Sequence, residues 1–300
     1  MASDNLLSVD IVTADGRFLT ANSTDHADLF WGVRGGGGNF GIVTSFEYQL
    51  HPVGPVLAGV VIHPVEQAKA VLQFYREYTR TAPDELTCYA LLASSPAGDP
   101  VAIIAVCYNG AIEAGKRVLH ALRAYGRPLA IHIDPVAYTA FQSTFDASYP
   151  AEPHVYWKSN FLKDLSDDAI DTMVAYGATR PSPWCHIAID ELGGAVSRVG
   201  QEETAFNHRN VRYDFISAGA CADPAETASC IRWAREFWEA MQSFSSDGVY
   251  VNYLGQEADE GVERVKAAYG PAKYAQLVAL KNKYDPTNFF RLNQNIKLRV

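Results

Sequence analysis

Residues 28–44 read Asp28-Leu29-Phe30-Trp31-Gly32-Val33-Arg34-Gly35-Gly36-Gly37-Gly38-Asn39-Phe40-Gly41-Ile42-Val43-Thr44, and the order of apolar and glycine positions in this stretch decides the fold. Gly36-Gly37-Gly38-Asn39-Phe40-Gly41 satisfies G-x-G-x-x-G letter for letter. The dinucleotide fingerprint needs a strand before its glycines and a helix after them, because the helix amino terminus carries the pyrophosphate. Here the order is reversed. The spacing predicts a short helix over residues 26–32, capped by Thr24 or Asp25 and ended by Gly32. The β-branched and aromatic run at 42–50 predicts a strand. No Gly-Lys-Ser/Thr follows, so a P-loop is excluded as well. A run of glycines lets backbone N–H groups approach an anion or a flat ring. It serves a tight helix-to-strand turn equally well, and composition leaves both uses open.

Working outward, residues 8–13 and 18–21 alternate in polarity around Asp15-Gly16, which predicts a hairpin. His51-Pro52-Val53-Gly54-Pro55 breaks the chain and marks a boundary. From residue 56 to about 245, strands alternate with amphipathic helices, the pattern of an α+β domain. Helical spacing links Ala68, Val71, Leu72, Tyr75 and Tyr78, then Ala114, Val118, Leu122 and Tyr125, then Ile231, Ala234, Trp238 and Met241. Residues 101–108 and 185–189 read as central strands of an antiparallel sheet. Tyr149, Tyr156, Trp157, Phe161 and Trp184 read as core rather than as a ligand cage. In the tail, 248–253 predicts a short strand, 262–269 a helix ended by Gly270-Pro271, and 274–284 a helix halted by Asp285-Pro286.

Composition narrows the function classes. The 300 residues correspond to two domains or one large one. Lys plus Arg number 25 against 34 Asp plus Glu, a net charge of −9 that repels a phosphate backbone, so nucleic acid is not an expected partner. No apolar run reaches the roughly 18–20 residues of a membrane span, and no secretory leader is evident. Five cysteines without C-x-x-C spacing point to reduced thiols and a cytoplasmic setting. G-x-S-x-G and H-E-x-x-H are absent. Cys185 and His186, adjacent on a strand, point to opposite faces and form no nucleophile–base pair. His132 and Asp134 share a face but supply too few ligands, so no metal is expected. Asp190 and Glu191, ahead of Gly193-Gly194, read as turn residues.

Four ordered blocks now carry weight together: Asp4-Asn5-Leu6-Leu7; residues 28–44; Tyr250-Val251-Asn252-Tyr253; and Lys283-Tyr284-Asp285-Pro286-Thr287-Asn288-Phe289-Phe290-Arg291-Leu292-Asn293-Gln294-Asn295-Ile296. They strongly resemble the berberine bridge enzyme-like branch of the vanillyl-alcohol oxidase superfamily. The resemblance implies an α+β protein with a partial, discontinuous PCMH-type FAD-binding domain, residues 1–54 and 246–300. An antiparallel-sheet-plus-helices substrate domain, 55–245, is inserted between the two parts. It implies FAD as cofactor, approached by the backbone of Gly38, Asn39, Gly41, Ile42 and Val43, with Tyr250 and Asn252 against the isoalloxazine. Tyr253 matches the family's frequent catalytic tyrosine. Residues 204–209 resemble its F-P-H-R segment, with Asn207 where proline is usual, and Asp214 is the acid nearest the position where members place a catalytic glutamate or glutamine.

The activity so implied is oxidation of a small-molecule alcohol, sugar or secondary metabolite, by proton abstraction and hydride transfer to flavin N5. A free tyrosine ionises near pH 10, so Tyr253 as base needs a cation or hydrogen-bond donors beside it. The family's R-x-G-G-H loop, with the histidine that attaches the flavin, precedes the Asp-Asn-Leu-Leu block. None of the eight histidines here has a Gly-Gly-His context. The resemblance therefore implies a truncated front end, no covalent flavin, and a separate chain as a source of the missing FAD-binding half. The competing expectations are a non-catalytic small-molecule-binding remnant without FAD, and a flavin-independent acid–base enzyme using Asp190, Asp214 or Tyr253.

Overall fold

A computed structural model describes residues 1–144, 146, 154–255, 260–292 and 294–298. The chain divides into two compact units: Met1–His51 with Ala195–Val211 and Asp247–Val300, and Pro52–Gly194 with Arg212–Ser246. In chain order, the first unit contributes β1 (Leu6–Val12), β2 (Phe18–Asn22), α1 (Ala27–Val33) and β3 (Ile42–Tyr48). The second continues with β4 (Val56–Pro64), α2 (Ala68–Arg80), β5 (Leu86–Ser94), β6 (Pro100–Tyr108), α3 (Ile112–Val118), α4 (His120–Ala124) and β7 (Ala130–Val136). It adds α5 (Tyr138–Gln142), β8 (His154–Leu162), α6 (Asp167–Gly177) and β9 (His186–Glu191). Then come α7 (Ala195–Arg198) in the first unit, β10 (Tyr213–Cys221) and α8 (Thr227–Ala240) in the second, and α9 (Val262–Tyr284) in the first.

In the first unit, three antiparallel strands lie in the order β2-β1-β3. The hairpin forms as the Asp-Gly pair predicts. Gly16 takes φ +81°, and Thr13 N–H bonds Arg17 O at 3.0 Å. The central strand buries Leu6, Val9 and Ile11 beneath α1 and α9, whose Leu29, Phe30, Leu277 and Leu280 complete the core. Helix α1 departs from expectation at both ends. Its N-cap is His26, in left-handed conformation and without a side-chain cap. Thr24 and Asp25 instead fold back, their N–H groups donating to Asn22 Oδ1 at 2.8 Å. Gly32 lies inside the helix because a Cβ there would meet Leu280 Cδ1 at 2.8 Å.

Two tail elements differ likewise. Residues 248–253 form no strand; Tyr253 N–H bonds Tyr250 O at 2.9 Å and Leu254 N–H bonds Val251 O at 3.2 Å, a tight turn that buries Val251 and Leu254, three positions apart. The two expected tail helices are joined in α9 across a break at Gly270, whose φ of +71° only glycine adopts readily ahead of Pro271. The block 195–211, expected within the substrate domain, packs in the first unit. Buried Lys273 of α9 donates to the carbonyls of Gln201, Thr204 and Phe206, and Trp31 Nε1 donates to Glu202 O at 2.9 Å.

The second unit is a seven-stranded antiparallel sheet in the order β7-β4-β6-β5-β9-β10-β8. Helices α2, α6 and α8 cover one face. Helix α2 buries Ala68, Val71, Leu72 and Tyr75 as its periodicity predicts, each large aliphatic side chain contributing roughly 1.5–3 kcal/mol. The expected helix over 114–125 breaks at Leu119 into α3 and α4. In α8 and its C-cap, Ala234 and Met241 are buried as predicted, together with Cys230, Trp233 and Phe237, whereas Ile231 and Trp238 lie at the margin. Of the aromatics read as core, Tyr156 and Phe161 are buried and Trp184 is half-buried, whereas Trp157 is 43% exposed on the uncovered face; Tyr149 lies outside the described residues. Tyr156 and Trp157, adjacent on β8, face opposite ways. Among the described residues, no helix is long and apolar enough to cross a membrane.

One core residue carries a pH dependence. His63 on β4 is fully buried, neither ring nitrogen has a hydrogen-bond partner, and burial lowers its pKa. Below about pH 6.5 the unfolded chain binds a proton that the folded chain refuses, so stability falls as pH drops through that value. In chemical denaturation at pH 5 and pH 8, His63→Leu is expected to lose less stability on acidification than the parent. Equal losses would remove His63 as the cause.

Candidate active site

The segment between α1 and β3 sorts its glycines by purpose. A Cβ on Gly35 would fall 2.5 Å from Phe206 N, one on Gly36 2.4 Å from Gly32 O, and one on Gly41 2.5 Å from Val12 O. These three positions are glycine for close packing. Gly37, at φ +66°, and Gly38 form an exposed apex whose N–H groups have no acceptor among the described residues. Ile42 is exposed beside it in sequence and Val43 is half-buried.

Asn39 is an internal clamp. It is buried, its Nδ2 donates to Gly36 O at 2.9 Å and Gln294 O at 3.1 Å, and its Oδ1 accepts from Ile296 N–H at 3.0 Å. Its carbonyl accepts from Lys281 Nζ at 2.9 Å. Lys281 also donates to Phe290 O and forms a 2.7 Å ion pair with Asp285, both side chains being 0% exposed. Burial alone would raise the Asp285 carboxyl; the Lys281 ammonium and the N–H groups of Phe289 and Phe290 hold it below its ordinary value. Lys281 escapes the sequence reading because nothing local marks its partner 242 positions away.

The Tyr250-Val251-Asn252-Tyr253 turn gathers polar and aromatic groups in the same unit. Asn252 Nδ2 donates to Tyr250 Oη at 2.8 Å, and the Tyr250 ring meets Tyr253 edge-on at 5.2 Å and Phe206 edge-on at 5.8 Å. The Arg209 guanidinium lies 5.0 Å from the Phe206 ring centroid and is bonded twice to Asp4, at 2.8 and 2.6 Å. The Asp-Asn-Leu-Leu block and the Phe-Asn-His-Arg segment are therefore partners in one buried ion pair.

Asp214 belongs to the second unit, on β10, and is 1% exposed. The antiparallel register sets it directly opposite Asp190 on β9, which in turn stands opposite Tyr89 on β5. This corrects the reading of Asp190 and Glu191 as turn residues: β9 pairs with β10 through both of them, Glu191 opposite Tyr213. Burial first, then the Asp190 charge, pushes the Asp214 pKa well above the ordinary carboxylate range. Burial and the two aspartates push Tyr89 up to about 12. His132 and Asp134 are exposed on the edge strand β7, and among the described residues no His, Cys, Asp or Glu grouping could hold a metal. Cys185 Sγ bonds Ala220 O and His186 Nδ1 contacts Trp184 O, so the two do not pair.

The family described as "Berberine and berberine like" matches residues 249–297. An FAD-linked oxidoreductase of Dictyostelium discoideum is 30% identical over 301 residues, 99% of this chain and 64% of that protein. Residues 249–297 belong to that berberine-like family, and the chain as a whole is similar to its FAD-linked oxidoreductases. A carbohydrate oxidase of Microdochium nivale is 28% identical, covering 99% of this chain and 64% of its own length. In fold, the chain is similar to 6-hydroxy-D-nicotine oxidase from Arthrobacter nicotinovorans, with a TM-score of 0.85 at 23% identity over 98% of this chain and 66% of that one. The chain thus spans less than two thirds of the length of both curated family relatives named here, 64% in each case.

Proposed function

We propose that the chain serves an FAD-dependent oxidase that converts a secondary alcohol or hemiacetal carbon, CH–OH, of a sugar-like small molecule to C=O. The observation that carries this is the Tyr250-Asn252-Tyr253 turn, which presents a phenol and an amide on a buried, ion-paired base. The bare apex at Gly37-Gly38 fits the cofactor, since its N–H groups are unsatisfied and no Cβ stands in the way. Gly38, Ile42 and Val43 would hold FAD there, with Tyr250 and Asn252 against its ring; Asn39 and Gly41 support the loop from within. Bound FAD accepts the two electrons and the carbon-bound hydrogen as hydride.

This chain's residues handle the other proton. Tyr253, ionised to the phenolate, takes it from the substrate hydroxyl as C=O forms and becomes a neutral phenol, and Asn252 orients the neighbouring phenol of Tyr250. Asp214, in the second unit, is a stronger base once ionised than an ordinary carboxylate, because burial raises its pKa. The relative named as a carbohydrate oxidase supports a polyhydroxylated substrate. The five cysteines, all free thiols, suit a reducing compartment such as the cytoplasm. On β3, an edge strand, Ile42, Phe46 and Tyr48 are exposed, which supports pairing with further polypeptide, a separate chain being one source.

Mixed anaerobically with FAD and a panel of reducing sugars and polyols, the chain is expected to bleach the flavin's visible absorbance. Failure to bleach with any member of the panel would count against the oxidase reading.

A further inference from the structure

We propose that the backbone carbonyls of residues 201–206 form a monovalent-cation site, of the size that takes potassium or ammonium, which Lys273 fills from within the chain. Lys273 is thereby a positioning residue for Phe206 and the Tyr250–Tyr253 turn. All of these residues lie in the first unit. Lys273 is 3% exposed, and its Nζ donates to Gln201 O, to Thr204 O at 2.8 Å and to Phe206 O at 2.8 Å. An ammonium group has three N–H donors, so each of them ends on a backbone carbonyl. Among the described residues Lys273 forms no ion pair, and these three carbonyls have no other donor.

The placement is costly for a residue that only packs. A buried charge with no counter-charge in contact is unfavourable. Lys273 also stands in the first turn after the break at Gly270, at the positive end of that half of α9. Burial depresses its pKa, the Arg209 charge adds to that, and the exposed Glu202 opposes both. The loop supplies the reason for a cation here. Besides the three carbonyls on Lys273, Glu202 O accepts from Trp31 Nε1 at 2.9 Å and Glu203 O accepts from Arg34 at 2.7 Å, so five of the six carbonyls from 201 to 206 turn to side-chain donors. Convergent carbonyl oxygens of this kind replace the hydration shell of potassium in a selective site. The loop carries Phe206, whose ring meets Tyr250 edge-on at 5.8 Å, with Arg209 at 5.0 Å from the same ring. It has no slack on its other side, since a Cβ on Gly35 would fall 2.5 Å from Phe206 N. The bearing on flavin binding rests on the oxidase reading; the cation site does not.

The test compares the parent with Lys273→Ala, which opens the site, and Lys273→Met, which fills the volume of the stem without a charge. Thermal midpoints are read in ammonium, potassium, sodium and tetramethylammonium chloride at one ionic strength. Both variants are expected to melt below the parent. Lys273→Ala alone is expected to regain at least half of its loss, saturably, in ammonium or potassium and not in tetramethylammonium. If Lys273→Ala does not fold in sodium chloride, recovery of its cooperative transition in ammonium chloride is the same result. A response of Lys273→Ala that is absent, or equal in all the salts, overturns the cation site. Near-UV circular dichroism well below the midpoint reads the turn: the part of the tyrosine signal that Tyr250→Phe removes is expected to fall in Lys273→Ala and to return with ammonium. A lower midpoint with that signal unchanged overturns the positioning role. FAD is expected to bind Lys273→Ala about tenfold more weakly than the parent and to recover with ammonium. If the parent itself shows no saturable FAD binding while ammonium still rescues the midpoint, the flavin reading fails and the cation site stands.

Discussion

Replacing Lys281 with methionine is expected to destabilise the chain by roughly 3–5 kcal/mol, the range for removing one partner of a buried ion pair. Both side chains are 0% exposed, and the ammonium satisfies Asn39 O and Phe290 O as well as Asp285. Methionine fills much of the volume but leaves a buried carboxylate with no cation, only the Phe289 and Phe290 N–H groups and the Thr287 hydroxyl as partners, and two carbonyls unpaired. Urea unfolding would read the loss as a lower midpoint at constant slope. The double variant Lys281→Met/Asp285→Asn is expected to recover part of it, because the two changes act on one interaction. A loss below about 1 kcal/mol would show that the pair does not hold the glycine loop to the tail.

The second large effect is chemical. Tyr253→Phe is expected to lower the rate of substrate-driven flavin reduction by about 10²–10⁴-fold, the contribution of a positioned proton acceptor. Phenylalanine keeps the edge-on ring contact with Tyr250 at 5.2 Å, so the fold of the turn is preserved while the phenol is lost. A thermal midpoint within a degree or two of the parent would accompany the loss. Unchanged turnover in a folded Tyr253→Phe protein would transfer the proton to another group.

Much of the fold was legible because its signals are local. Asp15-Gly16 between alternating runs specifies the β1–β2 hairpin, and the 68–78 stripe specifies α2. Residues 248–253 are the opposite case: Val and Tyr favour strands, but among the described residues no strand pairs with them, and three-residue turn bonds win. The site was legible in its motifs and illegible in its connections. Arg209 and Asp4 are 205 positions apart, and no periodicity joins them. Asp190 looked like a turn residue because a strand's register with its neighbour is set by tertiary pairing, and a single strand does not announce it. The glycine run looked like one feature and is two: Gly35, Gly36 and Gly41 yield to packing, and Gly37 and Gly38 stay bare.

The proposed oxidase requires a flavin-binding surface built on that apex and the Tyr250–Tyr253 turn. Titrating FAD with the purified chain and following flavin fluorescence tests it most directly. The account predicts a saturable one-to-one change that is weakened when Gly38 is replaced by a bulky residue such as valine. A titration with no saturable change, or one indifferent to Gly38→Val in a folded protein, would contradict it.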